Sequence, residues 1–336
     1  MKALIFQETG EPKSVLKLVE IPTPPLAPGE ALVRVLLSPI NASDLHMVRG
    51  RYGYQPTLPA SPGIEGVGIV EALGPGVQVP AVGTRVVIID TWNTWREQIV
   101  CPAEKLVPVP DSLDNAAAAA SYINPLTAWA LTISTHNLKE GDWLLQTAAA
   151  SSVGKFVLQL AQQHRFKTIN VIRRREQESI IRNLGGDEVI CTADEDLRAR
   201  LQELTAGKGV ERAIDCVAGD LGAEIVRNLS PAGTMLVYGA LSSHRQTDPA
   251  KFLMPLFAPR LIYSTATVRG WWLPRWVPSQ PLAEIRAAVS DLLTMLSKGA
   301  LTPPASVRYS VNDFQEAVEL ADGEAGQEKV LLDFSN

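Results

Sequence analysis

From about residue 120 onward the chain alternates between short apolar runs and amphipathic stretches, and this alternation limits the fold more than any other feature. Apolar residues after position 152 recur at helical spacing, and the runs on either side have the length of strands. The pattern predicts strands at 143–146, 168–172, 188–191, 210–217 and 234–239. Strands that alternate with helices predict a parallel sheet wound by right-handed crossovers. This is the form of a dinucleotide-binding domain.

The turn between the first strand and the first helix of this region is a candidate nucleotide site. It runs from Thr147 to Gly154 and consists mostly of alanine and serine. Small side chains let the backbone approach a pyrophosphate, and the start of the next helix offers free N–H groups and a positive dipole end. Only Gly154 matches a glycine of the usual fingerprint. The loop by itself therefore also fits an ordinary strand-to-helix turn.

Three consecutive arginines, Arg173, Arg174 and Arg175, follow the next predicted strand. An NAD-specific site would place an acidic residue there, about 20 residues after the loop, to bind the ribose hydroxyls. Guanidinium groups suit a 2′-phosphate instead, by charge and by paired hydrogen-bond geometry. The sequence therefore favours NADPH over NADH, and the alternative is a solvated arginine run at a strand end.

The region before residue 120 has a different character, rich in proline, glycine and β-branched residues. Short alternating runs predict strands joined by turns at 31–37, 68–73 and 85–89. Asp111 and Asp114 are candidate caps of an alanine-rich helix that begins near Asn115. This region is predicted to be a β-rich domain.

The carboxyl-terminal region predicts a long amphipathic helix from residue 282 to 298 and a strand at 330–334. We expect the tail to return to the first domain. A chain of 336 residues also exceeds the usual size of one core. The predicted domains are residues 1–120 with 293–336, and residues 121–292.

Composition limits the partners of the chain. A net charge of -5 argues against a general nucleic-acid binder, because phosphate neutralisation needs a basic face. Three cysteines without a close pair are typical of a reducing compartment. The amino terminus runs directly into a strand-like pattern, and no apolar run reaches the length of a membrane span. We therefore expect a cytoplasmic protein with no nucleic-acid or membrane partner.

Several landmarks resemble the medium-chain dehydrogenase/reductase superfamily across essentially the whole chain. They are the segments Ile-Asn-Ala-Ser-Asp at 40–44, Gly-Ile-Glu-Gly-Val-Gly at 63–68 and Pro-Leu-Thr-Ala at 125–128. The resemblance implies an α/β fold with a GroES-like catalytic domain formed by both chain ends. A Rossmann doubly wound domain would be inserted between them, with the active site in the cleft between the two.

Zinc is not expected. Zinc enzymes of this superfamily typically carry a cysteine where this chain has Asn41 and a histidine where it has Ile64, and neither replacement is a normal zinc ligand. Three cysteines cannot form a four-cysteine structural zinc lobe. His46 and Glu65 remain as donors, but two scattered groups do not make a metal site.

Within the metal-free branch, the chain resembles the mitochondrial-type 2-enoyl thioester reductases of fatty acid synthesis. The segments that carry this resemblance are 50–53, 123–125, 168–173, 233–239 and 269–273. Quinone reductases of the superfamily usually lack the Gly-x-Tyr-Gly context of the first segment and the tryptophan pair of the last. One departure is the Ser-Ser-Val-Gly sequence at 151–154, which stands where the family has its glycine-bearing loop.

The resemblance also implies roles for individual residues. Tyr52 matches the catalytic tyrosine, Asn124 a residue near the nicotinamide, and Lys329 a lysine that reaches back to the cleft. The other predicted cofactor contacts are Ala150, Ser151, Ser152, Val153, Gly154, Arg173, Arg174, Arg175, Tyr238, Gly239, Ala240, Leu241, Trp271, Trp272 and Leu273.

The implied reaction needs a hydrogen-bond donor or a proton source. Hydride transfer from NADPH to the β-carbon of a conjugated thioester places negative charge on the carbonyl oxygen, and the enolate is then protonated at the α-carbon. A phenol with an ordinary pKa of about 10 stays protonated at neutral pH and can fill either role. The alternatives are that Tyr52 is a loop aromatic with its hydroxyl in water and that Trp271 and Trp272 pack in the core.

The expected partner is a small-molecule or carrier-bound acyl thioester, and Arg49 and Arg51 are candidates to meet a phosphorylated carrier. A homodimer is a family expectation. An NADPH:quinone oxidoreductase, or a reductase of other activated alkenes, is the main alternative, because the same cofactor site would serve. A non-catalytic binding protein is a second alternative, against which Tyr52 and the arginine cluster argue.

Overall fold

The computed structural model describes residues 1–243, 246, 248–323 and 328–335. It divides into two units, residues 1–126 with 280–336 and residues 127–279. The predicted boundary at residue 292 falls inside the helix Leu282–Ser297, which lies wholly in the first unit. The predicted first domain also contains residues 324–327 and 336, which lie outside the described residues.

The elements are numbered in chain order. The strands are β1 (Lys2–Ile5), β2 (Lys17–Glu20), β3 (Glu30–Pro39), β4 (Gly66–Leu73), β5 (Arg85–Ile88), β6 (Gln98–Pro102), β7 (Leu106–Pro108), β8 (Trp143–Thr147), β9 (Lys167–Ile172), β10 (Glu188–Cys191), β11 (Val210–Asp215), β12 (Leu229–Val237), β13 (Thr267–Gly270), β14 (Ser306–Ser310) and β15 (Lys329–Asp333). The α-helices are α1 (Pro12–Val15), α2 (Ala42–Val48), α3 (Asn115–Ala119), α4 (Ile123–Trp129), α5 (Ser152–His164), α6 (Glu178–Asn183), α7 (Leu197–Leu204), α8 (Gly219–Arg227), α9 (Ala258–Ser264), α10 (Leu273–Trp276), α11 (Leu282–Ser297) and α12 (Phe314–Asp322).

The second unit contains a six-stranded parallel sheet in the order β10-β9-β8-β11-β12-β13. Chain order reverses between β8 and β11, which makes their carboxyl ends the switch point where doubly wound sheets bind ligands. Buried apolar residues of the strands form its core, among them Leu145, Val171, Ile190 and Met235. This unit confirms the predicted parallel dinucleotide-binding domain.

Two details of this sheet differ from the sequence prediction. Trp143, the first residue of β8, belongs to an apolar run but has 40% of its surface exposed, and the Lys167 ammonium lies 5.3 Å from the centre of its ring. The edge strand β13 was not predicted, because none of its side chains is buried and its pattern carries no apolar alternation.

The first unit is β-rich. Strands β1 and β2 form an antiparallel pair, and a larger sheet has the order β14-β15-β3-β4-β5-β7, with β6 also paired to β3. Strand β15 pairs antiparallel with β3, so the carboxyl-terminal tail returns to the amino-terminal domain as predicted. The predicted fold class, a β-rich unit from both chain ends and an inserted doubly wound unit, is confirmed.

Helix starts follow from local capping. The Asp114 side chain accepts hydrogen bonds from the N–H groups of Ala116 (2.8 Å) and Ala117 (2.9 Å), so Asp114 rather than Asp111 caps α3. The longest helix of the described chain, α11, spans 16 residues. Within the part of the chain that the structure describes, no helix has both the length and the apolar character needed to cross a bilayer.

Candidate active site

The predicted nucleotide loop lies between β8 and α5, at the switch point of the parallel sheet. Ser151 caps α5, and its hydroxyl accepts a hydrogen bond from the N–H of Gly154 at 3.2 Å. A Cβ atom at Gly154 would lie 2.4 Å from the carbonyl oxygen of Ala149, so only glycine fits this position. The tight turn brings backbone and the amino-terminal end of a 13-residue helix to the sheet edge, as pyrophosphate binding requires.

A buried carboxylate that the sequence analysis did not identify holds this loop in place. Asp215, at the end of β11, accepts a hydrogen bond from the Thr147 hydroxyl at 2.6 Å. It also accepts from the N–H groups of Val217 (2.9 Å) and Ala218 (3.0 Å), and the Thr147 hydroxyl in turn accepts from the N–H of Cys216 at 3.0 Å. Asp215 thereby ties together the ends of the two central strands.

The three arginines differ in their environment. Arg175 forms ion pairs with Glu178 (2.9 Å) and Asp194 (2.7 Å), and a further one with Glu195. These carboxylates raise the pKa of Arg175, with the Asp194 hydrogen bond as the largest cause. Arg173 is exposed directly after β9 and has no carboxylate within ion-pair distance among the residues described. Arg173 is therefore better placed than Arg175 to bind a phosphate.

The predicted loop over the cofactor, residues 238–241, follows β12 at the same edge of the sheet. The N–H of Tyr238 donates to the carbonyl oxygen of Asp215 at 2.8 Å, and the N–H of Leu241 donates to that of Cys216 at 2.8 Å. The Tyr238 hydroxyl is buried without a hydrogen-bond partner of good geometry within the described chain. Burial raises its pKa well above the ordinary value, and the neighbouring Cys216 thiol adds to this rise. The Cys216 thiol and the Ser151 hydroxyl are hydrogen-bonding neighbours of the Tyr238 hydroxyl, which therefore lies beside the predicted nucleotide loop.

The predicted tryptophan segment is largely packed into the second unit. Trp271 is 6% exposed, its indole N–H donates to the Thr135 hydroxyl at 3.2 Å, and its ring lies 5.8 Å from that of Trp276. Leu273 is also buried, whereas Trp272 is half-buried. Of the three, Trp272 has the exposed surface that a cofactor contact needs.

The predicted catalytic tyrosine lies in an aromatic group of the first unit. The Tyr52 ring packs edge-on against Trp92 with centroids 6.4 Å apart, and Tyr54 stacks on the same indole at 4.3 Å. Tyr52 is half-buried and Tyr54 is exposed. Two neighbouring phenols therefore share one indole, which makes Tyr54 a natural control for Tyr52.

The remaining predicted residues of the first unit are half-buried or buried. Asn124 is half-buried in the first turn of α4. Lys329 is 9% exposed, and its ammonium donates a hydrogen bond to the Asn41 side-chain oxygen. The Arg49 guanidinium binds Glu11 (2.8 Å) and Asp322 (2.6 Å), so it is engaged within the protein, which is contrary to its suggested role at a carrier phosphate.

Buried ionisable groups surround Lys329. Burial raises the pKa of Asp44 to about 7 and also raises the pKa of Glu65, while the positive charge of Lys329 opposes both rises. Burial lowers the pKa of Lys329 itself, and the two carboxyl groups oppose that change. The Asn41 amide N–H donates to Glu65 at 2.9 Å. The group is thus one connected polar cluster.

Two family models match this chain. One, described as an alcohol dehydrogenase GroES-like domain, matches residues 27–111, and another, described as a zinc-binding dehydrogenase, matches residues 152–293. A curated relative from Xenopus tropicalis, enoyl-[acyl-carrier-protein] reductase, mitochondrial, is 34% identical over 327 residues, which are 95% of this chain and 91% of the relative.

Solved structures give a second comparison. A Bacillus thuringiensis protein, provisionally assigned as an NADPH:quinone reductase, is 33% identical with a TM-score of 0.92, covering 99% of this chain and 98% of that one. Escherichia coli quinone oxidoreductase in complex with NADPH is 26% identical with a TM-score of 0.88, covering 99% and 100%.

The description of the second family model raises the question of zinc. Asn41 uses both ends of its amide, one with Lys329 and the other with Glu65, and the neighbouring Ile64 is a buried apolar residue. An ammonium beside these donors disfavours a second cation by charge. No group of three or more His, Cys, Asp and Glu side chains that could hold a metal occurs among the described residues. The residues present therefore do not fit a zinc site.

The two matched ranges contain the segments of the resemblance at 40–44, 50–53, 63–68, 168–173, 233–239 and 269–273. A relative above 30% identity extends over nearly the full length of both proteins. The chain belongs to the medium-chain dehydrogenase/reductase superfamily of oxidoreductases.

Proposed function

We propose that the protein is an NADPH-dependent reductase of 2-enoyl thioesters, carried by coenzyme A or acyl carrier protein. The observation that carries the proposal is the similarity, over 95% of this chain, to relatives named as enoyl-[acyl-carrier-protein] reductases. The half-buried Tyr52 and the phosphate-type loop supply the groups that this reaction needs. No step of the proposed reaction uses a metal ion.

The second candidate substrate is a quinone or another activated alkene. The support is the likeness to solved chains described as quinone oxidoreductases, one of them in complex with NADPH. The same nucleotide loop serves both reactions, so the cofactor site does not distinguish them. The substrate itself must be tested.

In the second unit, the proposed role of the chain is to bind and orient NADPH, which supplies a hydride when bound. Residues 150–154 and the start of α5 bind the pyrophosphate through backbone N–H groups. Arg173, with Arg174 beside it, binds the 2′-phosphate, which an acidic residue would repel. Arg175 is the least suited of the three, because Glu178, Asp194 and Glu195 already pair with it. Residues 238–241 and 271–273 cover the rest of the cofactor, and the Tyr238 hydroxyl and Trp272 are the members best suited to direct contact.

In the first unit, the proposed role of the chain is to stabilise the negative charge that develops on the substrate and to supply a proton. Hydride arrives at the β-carbon of the substrate, and the electron pair of the double bond moves toward the carbonyl oxygen. Either the Tyr52 hydroxyl donates a hydrogen bond to that oxygen while a proton from water reaches the α-carbon, or it gives its own proton to the α-carbon and regains one from water. Protonation of the α-carbon completes the saturated thioester. Packing against Trp92 limits the positions of the phenol. Asn124 and Lys329 remain proposed contacts on the nicotinamide side.

The proposal also includes a homodimer in the cytoplasm. Apolar side chains are exposed in the second unit, with Phe252 at 52%, Ile262 at 66% and Tyr263 at 85% exposed, and a second copy would cover them. The curated relatives are named as mitochondrial proteins. The cytoplasmic location that we propose for this chain rests on its own sequence.

Substrate preference tests the function directly. We expect NADPH oxidation with crotonyl-CoA to have a kcat/KM about tenfold or more above that with a simple quinone, a difference of about 1.4 kcal/mol in transition-state stabilisation. Initial rates at 340 nm measure this, and saturated butyryl-CoA is the matched control because it has no double bond to reduce. A higher kcat/KM for the quinone would instead establish the second candidate.

Tyr52→Phe tests the proton donor. Removal of the hydroxyl should lower crotonyl-CoA turnover by about a hundredfold or more, the scale of a lost general acid, while the Kd for NADPH stays near normal. Tyr54→Phe removes a hydroxyl from the neighbouring phenol on the same indole and should keep normal turnover. If Tyr52→Phe turns over at the normal rate, the phenol has no part in the chemistry.

Arg173→Ala tests the phosphate site. Because a hydrogen bond to a charged group contributes about 1.5–3 kcal/mol, this variant should bind NADPH about tenfold or more weakly and leave NADH affinity unchanged. Arg175→Ala is the control, since acidic neighbours already occupy that guanidinium. Fluorescence titration gives both Kd values. A double variant Arg173→Ala with Arg174→Ala that keeps the full NADPH preference would show that the phosphate binds elsewhere.

A further inference from the structure

Four polar side chains lie close together in the interior of the first unit. Three of them, Asn41, Asp44 and Glu65, have no role in the proposed reaction. Asn41, Asp44 and Glu65 are 6%, 0% and 0% exposed, and Lys329 is 9% exposed. They come from segments far apart in the chain, with 288 positions between Asn41 and Lys329. Burying charged groups is costly unless each is paired and hydrogen-bonded, so a cluster of this kind needs a role.

The Glu65 carboxylate is the centre of this cluster. One oxygen accepts the Asn41 amide N–H at 2.9 Å. The other accepts the backbone N–H groups of Ile123 at 2.8 Å and Tyr122 at 3.3 Å, directly at the start of α4. A negative charge at this place satisfies N–H groups that the helix cannot pair and complements its dipole. Glu65 therefore fixes the backbone where α4 begins.

The backbone of Glu65 is held as firmly as its side chain. Its carbonyl oxygen accepts hydrogen bonds from the hydroxyls of Ser38 at 2.7 Å and Thr94 at 2.8 Å. Two residues earlier, Gly63 has a φ of +96°, and a Cβ atom there would lie 2.3 Å from the Thr94 hydroxyl oxygen. Only glycine fits this position of the turn, and the turn places Glu65 beside the start of α4.

Lys329 supplies the opposite charge through an amide bridge. Its ammonium donates to the Asn41 side-chain oxygen, and the nitrogen of the same amide donates to Glu65. The Asn41 amide therefore links the Lys329 ammonium to the Glu65 carboxylate by two hydrogen bonds. Only 9% of Lys329 is exposed, so most of its side chain lies in the interior of the first unit.

The residue after Ile123 is Asn124, the proposed neighbour of the nicotinamide. Its backbone follows directly from the two N–H groups that Glu65 binds, and Pro125, which is buried, restricts it on the other side. The Glu65 carboxylate therefore holds the backbone from which Asn124 directly follows. A small displacement of a group that orients the reactants can lower the rate by about a hundredfold.

We propose that Glu65 is a positioning residue that sets the orientation of Asn124 at the cofactor, and that Lys329 acts as the counter-ion of Glu65 through Asn41. This inference rests on the role of Asn124 in the proposed function. It assigns a task to a buried charged cluster of the first unit.

A double-mutant cycle between Glu65 and Asn124 tests the positioning role. Glu65→Gln replaces one of the two accepting oxygens with an N–H donor, so either the bond from Asn41 or the bonds from the start of α4 are lost. We expect kcat to fall about ten- to a hundredfold with KM for the acceptor within about twofold. In an Asn124→Ala background the same change should lower kcat by less than about twofold, because independent effects would multiply. Glu71→Gln, which removes a partly exposed carboxylate of the same sheet paired with Arg34, is the control and should keep normal kcat.

The outcomes of this cycle separate the alternatives. The rates use crotonyl-CoA or a quinone, whichever the unaltered protein reduces, so a failure with crotonyl-CoA overturns only the proposed substrate. A folded Glu65→Gln variant with normal kcat would overturn the positioning role, and so would full additivity with Asn124→Ala. If Glu65→Gln does not fold, the charge-balanced double variant Glu65→Gln with Lys329→Met takes its place in the cycle.

The role of Lys329 as counter-ion is tested by thermal stability, which needs no substrate. Lys329→Met leaves the Glu65 carboxylate without its counter-charge and should lower the melting temperature, and adding Glu65→Gln should recover most of the loss. A double variant that melts no higher than Lys329→Met alone would overturn the role of Lys329 as counter-ion.

Discussion

The buried carboxylate of Asp215 is the interaction on which the nucleotide site depends. It joins the ends of β8 and β11, the two strands between which the order of the parallel sheet reverses. Loops leave a sheet in opposite directions at such a point and open a crevice for a ligand. The Thr147 hydroxyl and two backbone N–H groups hold the carboxylate, so the loop that ends at Gly154 has a fixed origin. The carbonyl oxygen of Asp215 also accepts a hydrogen bond from the N–H of Tyr238, at the start of the 238–241 loop.

A second buried carboxylate has a comparable task in the first unit. Glu65 accepts hydrogen bonds at the start of α4, and its charge is balanced by Lys329 across the Asn41 amide. In both units a fully buried acid thus organises backbone next to residues proposed to meet the cofactor. Each acid is held by several donors, which offsets the cost of removing a charge from water. This arrangement lets a site be rigid without metal coordination.

The sequence predicted the features that depend on local pattern. The strand and helix alternation of the second unit, the loop ending at Gly154 and the cap Asp114 all follow from neighbouring residues, and the structure shows each of them. Asp215 was missed because a single aspartate at a strand end has no pattern of its own. Glu65 was considered only as a stray metal donor, since its partner Lys329 lies on the last strand and only the fold brings the two together. The engagement of Arg175 likewise depends on acidic residues after β10.

The central claim is that hydride passes from NADPH to the β-carbon of a conjugated thioester. The most direct measurement uses NADPH with deuterium at both C4 positions of the nicotinamide, crotonyl-CoA as substrate and ordinary water as solvent. The account predicts butyryl-CoA with one deuterium on the β-carbon and a solvent proton on the α-carbon, as read by NMR and mass spectrometry. A product without deuterium at the β-carbon, or NADPH that is consumed only when a quinone is present, would contradict it.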